Sequence, residues 1–222
     1  MDQSSADKNL TLSMKDTIRK YAKHASGYDA SANRTMKIRK ETIKGLNLKR
    51  GDVVLDIACG TGLSFDFILE EIGPEGRIIG IEISPEMANR AIERIRDNGW
   101  RNVEVQIGPV EGSTVPKDVT AVLFNYTHDV IQSEGALLKI FEAIQDGANV
   151  SISGMKLISG PLSIFNWYVY RLAKPYMSTF EGLSRPWSKI EKFVPRLNIK
   201  ETMLGSGYIA KGNFVRKNAT NL

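Results

Sequence analysis

VVLDIACGTGLSF, from Val53 to Phe65, is an apolar run that ends in an acid and then breaks into glycines. VVLDIA (53–58) has the near-continuous apolar texture of a strand covered on both faces, and RIIGIEI (77–83) repeats it. Between them SFDFILEEI has helical spacing and stops at the breaker GPEG. Ser84-Pro85-Glu86 then reads as an N-cap, a proline at N1 and an acid in the first turn of a helix reaching Asn98. VEVQI (103–107), VTAVLFN (119–125) and NVSIS (149–153) continue the strands, with EGALLKIFEAIQ as a further helix. Such alternation implies parallel strands joined by right-handed crossovers.

Upstream, helices are expected from Thr11 to His24 and from Thr35 to Gly45. Past Ser159, PLSIFNWYVYRLAKPY reads as helical, PWSKIEKFV as a second short helix, and LNIKETML with GYIAKGNFV as an antiparallel hairpin turning at Gly205-Ser206-Gly207. The whole is one α/β domain with an antiparallel edge. Residues 1–50 form an N-terminal helical lid, 51–222 the core, and 155–195 an aromatic-rich helical insert roofing a substrate pocket.

Three ligands suit a glycine turn of this kind. A nucleoside-triphosphate loop requires a Lys-Ser/Thr pair after its glycines, and here Leu63 and Ser64 follow Gly62. A dinucleotide fits Gly60, Gly62 and the acid Glu82 about 20 residues on, but its third glycine position is Phe65. S-adenosylmethionine carries an ammonium, a carboxylate and a sulfonium, and no phosphate. Asp56 at the strand end supplies an acceptor for its amino-acid end, Ala58, Gly60 and Gly62 expose backbone groups, and Glu82 offers a bidentate acceptor to its ribose.

DIACGTG resembles motif I of the class I S-adenosylmethionine-dependent methyltransferases. GPEGRIIGIEISPEM, from Gly73 to Met87, resembles the motif II region of their ubiquinone/menaquinone-biosynthesis type, the methyltransferase type 11 group. The resemblance spans about residues 20–155 and implies a doubly wound, Rossmann-like sheet of seven strands, order 3-2-1-4-5-7-6, with strand 7 antiparallel and helices on both faces. It places Asp56, Ala58, Gly60 and Gly62 around the methionine moiety, Glu82 on the ribose, and Ile83 and Met87 against adenine, with Cys59 of the same motif in the cofactor set. Asn125 joins the cofactor set from the end of strand 4. Tyr28, in GYDAS, resembles an aromatic that caps the cofactor and reads equally well as a helix-packing side chain. Many relatives carry Gly-Asp-Ala after strand 3. This chain has Gly108-Pro109-Val110-Glu111, so adenine is expected on Pro109, the Val110 backbone and apolar contacts, with Glu111 a substitute for the missing acid.

Methyl transfer from a sulfonium is an in-line displacement, so the protein mainly aligns the acceptor and excludes water. Acceptors sit beyond the carboxyl end of strand 4, where FNYTHDVIQS (124–133) places Tyr126, His128 and Asp129. His128, one of two histidines, suits a base or an orienting group; Asp129 suits a cationic amine or the imidazole. Both read alternatively as caps of the next helix. In the insert, Trp167 and Tyr170 are candidates to line an aromatic acceptor pocket, and Glu181 a candidate for substrate contact. The same insert could instead lie on a membrane, with Arg171 and Lys174 facing headgroups.

With 42% apolar and 25% charged residues, the 222-residue chain is of ordinary globular composition. One cysteine excludes an intramolecular disulfide framework and points to a reducing cytoplasm. No apolar run reaches the roughly 20 residues of a spanning helix. The net charge of +5 is scattered, and no Pro-Pro-aromatic run follows Asn125, so nucleic acid is disfavoured. The expectation is a cytoplasmic methyltransferase that uses S-adenosylmethionine, with no metal, on a small-molecule acceptor at N, O or activated carbon. The alternatives are a peripheral lipid or quinone-pathway methyltransferase and a non-catalytic protein that kept the cofactor site. Oligomeric state is not legible.

Overall fold

Apolar runs covered on both faces build a seven-stranded sheet in a computed structural model that describes residues 35–216. The elements are α1 (Met36–Lys44), β1 (Val53–Ile57), α2 (Phe65–Ile72), β2 (Arg77–Glu82), α3 (Pro85–Asn98), β3 (Val103–Ile107), β4 (Ala121–Asn125), α4 (His128–Ile131), α5 (Glu134–Ala143), β5 (Asn149–Met155), α6 (Asn166–Ala173), β6 (Asn198–Thr202) and β7 (Gly207–Asn213). Strand order is β3-β2-β1-β4-β5-β7-β6, as the resemblance implied. The first five strands are parallel, and β7 pairs antiparallel with both β5 and β6. The expected helix from Thr11 to His24 and Tyr28 lie outside the described residues.

The period of two along each strand sorts the core into two layers. Leu55, Ile57, Ile79, Ile81, Val122, Phe124, Val150 and Ile152 face α5 and the closing segment. Val54, Ile78, Ala121 and Leu123 face the opposite way, against Phe65, Ile68 and Ile72 of α2 and against Ile43 and Leu46. Thus α1, assigned by sequence to a lid, packs on the sheet. Its own Arg39 is nevertheless turned toward the strand ends, 5.3 Å above the ring of Tyr126.

Phe65 stands where a dinucleotide fold uses glycine, and the structure shows how its ring fits. A Cβ on Gly80 would lie 2.7 Å from Cys59 Sγ and 3.3 Å from Phe65 Cζ, and one on Gly62 would run into the same ring. Two missing side chains make the room that one missing side chain makes elsewhere.

Three local expectations are corrected. PLSIFNWYVYRLAKPY is not one helix but a 3-10 segment, Gly160–Phe165, followed by α6. The Asn166 carboxamide divides them by accepting from the Ile158 amide at 2.7 Å and donating to its carbonyl at 3.0 Å. PWSKIEKFV keeps only the 3-10 turn Ile190–Lys192, because tight turns already deliver Trp187, Ile190 and Val194 into the core. The hairpin reverses one step early, through Met203, Leu204 and Gly205 with φ of 50°, 55° and 88°, so that Gly207 is already paired in β7.

Filling the Gly80 gap should be costly. Gly80→Ala is expected to lower unfolding free energy by about 1–3 kcal/mol, the usual penalty for overpacking a rigid centre. Urea titration of both proteins measures it, and an unchanged midpoint would show that Phe65 and Cys59 yield freely.

Candidate functional site

On β1, β2, β4 and β5 the residues that share a face with Val54, Ile78, Leu123 and Ser151 include the polar side chains Asp56, Glu82, Asn125 and Ser153. All four are buried at 5% exposure or less, at the carboxyl ends of adjacent parallel strands. Buried polar groups must find partners, and those partners define the site.

Glu82 organises the turn. Its Oε2 accepts from the Gly60 amide at 3.0 Å and its Oε1 from the Ser84 amide at 2.8 Å. One carboxylate therefore joins the glycine turn to the start of α3. Burial raises the Glu82 pKa, and the bonds from Ser84, Gly60 and Ile83 oppose that rise. Each oxygen retains accepting capacity beyond its one amide. Ala58 and Gly60 hold left-handed backbone with φ of 50° and 61°, which turns main chain rather than side chain toward the ligand space. The turn is held from the far side by Arg94 of α3, whose Nε donates to the Thr61 carbonyl at 3.0 Å.

Asn125 forms the floor. Its Oδ1 accepts from Ser153 Oγ at 2.6 Å and its Nδ2 donates to Ser64 Oγ at 3.3 Å, linking β5, β4 and the start of α2. The following residue, Tyr126, is left-handed at φ 59°, an uncommon state for an aromatic and of the kind found at functional turns.

Asp56 lies deeper. Its Oδ2 is a buried acceptor with no hydrogen-bond partner among the described residues. Desolvation lifts its pKa to about 7, Arg39 lowering it and Glu82 raising it further. The lone thiol, Cys59, is buried in the turn and pushed up by the same burial.

A cleft of about 490 Å³, including its open mouth, runs along these strand ends and is lined by Ala58, Gly60, Glu82, Ile83, Met87, Asn125, Tyr126, Thr127, Asp129 and Val130. Eight of these were singled out from sequence; Thr127 and Val130 were not. Asp56, Cys59 and Gly62 support the turn from behind. Pro109 and Val110 stand off the cleft, with Val110 packed into the core beside β1 and β2. Glu111 accepts from Ser133 Oγ at 2.7 Å and so serves the start of α5.

The acceptor-side candidates are redistributed. His128 is 6% exposed and outside the cleft lining; its Nε2–H donates to the Glu181 carbonyl at 2.9 Å. That bond makes Nδ1 the bare nitrogen, and Nδ1 is buried without a partner among the described residues. Burial accordingly lowers its pKa, with Glu181 and Asp129 acting the other way. Asp129 does line the cleft, and its carboxylate accepts from the Ser178 amide (2.9 and 3.1 Å) and the Thr179 amide (3.4 Å). Gln132 donates to the Pro186 carbonyl at 3.0 Å, and Lys189 donates to the Gln132 carbonyl at 2.6 Å. The residues after β4 thus clasp the roof. Glu181 meets this clasp through its backbone, with an exposed side chain. Trp167 and Tyr170 are surface residues, 63% and 39% exposed, and take no part in the lining.

Among the supporting residues, Ser64, Arg94 and Ser153 carried no sequence signal, since serines and arginines are frequent and their partners lie far along the chain. Arg39 belonged to a basic helix whose sequence gives no sign of Asp56.

The raised Asp56 pKa has a definite sign. A carboxyl whose folded pKa, about 7, exceeds its ordinary 3.8 stabilises the protein while protonated, and that contribution is lost as pH rises toward 7. His128, lowered from 6.5, works in the opposite sense, so the informative quantity is wild type minus Asp56→Asn. That difference should fall by about 2 kcal/mol between pH 5 and pH 7 in urea titrations. A flat difference would mean that Asp56 is ionised throughout.

With this geometry in view, comparisons with known proteins converge. A family model described as a methyltransferase domain matches residues 48–164. A demethylmenaquinone methyltransferase of Lactobacillus johnsonii is 24% identical over 180 residues, 77% of this chain and 73% of that one. A protein-L-isoaspartate O-methyltransferase of Ignicoccus hospitalis is 41% identical over 66 residues, which spans only 30% of this chain and 31% of that relative. A crystal structure of a SAM-dependent methyltransferase from Aquifex aeolicus superposes with a TM-score of 0.61 at 21% identity, covering 87% of this chain and 98% of the other.

Proposed function

This chain belongs to the class I S-adenosylmethionine-dependent methyltransferases, and on that premise we propose that it binds S-adenosylmethionine in the cleft and methylates a small molecule at N, O or an activated carbon. The observation that carries the reading is Glu82, a buried carboxylate at the rim of a left-handed turn with accepting capacity left on both oxygens. A ribose diol matches two adjacent acceptors. Asp56 supports the same reading, because a buried acceptor whose Oδ2 has no partner among the described residues, with a pKa of about 7, suits a cationic amino group. Ile83 and Met87 give the cleft an apolar wall for a flat base.

When bound, the cofactor supplies an electrophilic methyl on a sulfonium. The chain's own part is to hold, orient and exclude water. Ala58 and Gly60 keep side chains out of the ligand's path. Tyr126, Thr127, Asp129 and Val130 bound the side where an acceptor enters, and Asp129 fixes the roof above it through Ser178 and Thr179. His128 holds the same roof at Glu181, so its Nδ1 reaches an acceptor's proton only after the roof shifts. Acceptors that are nucleophilic without losing a proton beforehand need no such base.

The relative that acts on demethylmenaquinone supports an aromatic quinone-pathway acceptor as one form of this function. The covered position of His128 favours a second reading, a protein that binds the cofactor without turnover. Single-turnover assays with a labelled methyl donor separate the two.

Calorimetry with S-adenosylhomocysteine tests the cofactor site. Wild type should bind and be thermally stabilised, NAD(P) should leave it unchanged, and Glu82→Ala should weaken binding at least tenfold, the effect of losing hydrogen bonds to a charged acceptor. Equal affinity in the variant would refute the assignment of Glu82 to the ribose.

A further inference from the structure

The aromatic insert leaves its apolar side chains outside. The 3-10 segment Gly160–Phe165 buries none of its residues, and α6 buries only Val169 and Ala173. Ile164 is 72% exposed and Trp167 63%, with Leu162, Phe165, Tyr168 and Leu172 also exposed. A second, distant segment projects at the same end of the sheet. Leu204, in the turn between β6 and β7, is 89% exposed, and Met203 beside it is half exposed.

Pairing fixes their common location. Thr202 and Met155 both pair with Gly207, so the turn at Met203–Gly205 stands at the carboxyl end of β5. The Lys156 amide donates to the Ser206 carbonyl at 2.9 Å, and the chain then passes Ile158, held by Asn166 at the head of α6. A Cβ on Gly205 would lie 3.7 Å from Ile158 Cγ2, which brings the turn against the base of the insert. This is also the end of the sheet on which the cleft opens, since Ala58, Glu82 and Asn125 follow or end their strands there. Left-handed backbone at two non-glycine residues, Met203 and Leu204, an uncommon state, shapes this apolar tip.

At the turn the acid Glu201 is paired with Lys156 at 2.9 Å, and within the insert the charges have one sign. Between Leu157 and Phe180 the only ionised side chains are Arg171 and Lys174, with no acid. Both are exposed, and neither pairs with an acid among the described residues. Aliphatic tips, Trp and Tyr with polar edges, and unpaired cations are the chemistry of a surface that lies in the headgroup region of an anionic bilayer.

We infer that the edge formed by residues 160–174 and 203–204 docks on an anionic lipid bilayer. Ile164, Trp167 and Leu204 enter the boundary between headgroups and acyl chains, and Arg171 and Lys174 meet lipid phosphates. The inference stands on this surface and not on methyl transfer. Combined with that activity, it means that an acceptor dissolved in the bilayer reaches the cleft from the lipid side.

Co-sedimentation of the full chain with vesicles tests it. Binding is expected to phosphatidylcholine vesicles holding about a third phosphatidylglycerol, and only weakly to phosphatidylcholine alone. Arg171→Glu and Lys174→Glu should each weaken partitioning about fivefold, with an effect that fades at high salt. Ile164→Asp combined with Leu204→Asp should weaken it at least tenfold while leaving the melting temperature unchanged, since both sites are exposed. Failure of the full chain to sediment would overturn the inference. So would variants that convert a dimer to a monomer in light scattering without changing vesicle binding, which would identify a second copy as the occupant.

Discussion

A buried carboxylate that must be satisfied governs this molecule. Glu82 ends β2 inside the protein, where an unpartnered charge is costly, and it takes the amides of Gly60 and Ser84. Those two bonds set the path of the glycine turn after β1 and the first turn of α3. The Ser84 side chain then accepts from the Met87 amide, and Pro85 opens the helix. Because the turn must approach Glu82, Ala58 and Gly60 adopt left-handed backbone. Because it must also pass over β2, Gly80 and Gly62 leave room for Phe65. The cleft is the space these requirements keep clear of side chains.

The pleat explains why the polar residues converge. Along β1, β2 and β4 the face that carries Val54, Ile78 and Leu123 turns polar at its last residue, Asp56, Glu82 or Asn125, and on β5 Ser151 and Ser153 continue that polar row. In a parallel sheet these ends lie side by side, so Asp56, Glu82, Asn125 and Ser153 become neighbours although nearly a hundred residues separate the first from the last. Coupling follows from that proximity. Arg39 and Glu82 act on the Asp56 proton from opposite directions, and burial outweighs both.

The other side of the cleft is built differently. After β4 the chain makes no long element but a four-residue helix, α4. The side chains at 128 and 129 within it, and at 132 just past its end, bond backbone groups of the segment from 178 to 186. The insert is therefore held by its distal part, while its proximal part carries aromatic residues away from the cleft. A pocket roof and an outer surface share one insertion, and each half follows from what its side chains find to bond.

The strands, their order and the donor side of the site were legible in the chain itself. Periodicity, caps and turn residues act over a few positions, and Asp56, Gly60 and Glu82 are tied to the ends of strands whose pattern is unmistakable. Tertiary structure decided the rest. It placed His128 under Glu181, Asp129 on the Ser178 and Thr179 amides, Val110 in the core, and Trp167 at the surface. Each of these outcomes depends on contacts between segments far apart in sequence, and an aromatic at helical spacing looks the same whether it faces a pocket, a core or a bilayer. Local pattern fixes which residues share a face; only the packing of distant segments fixes what that face meets.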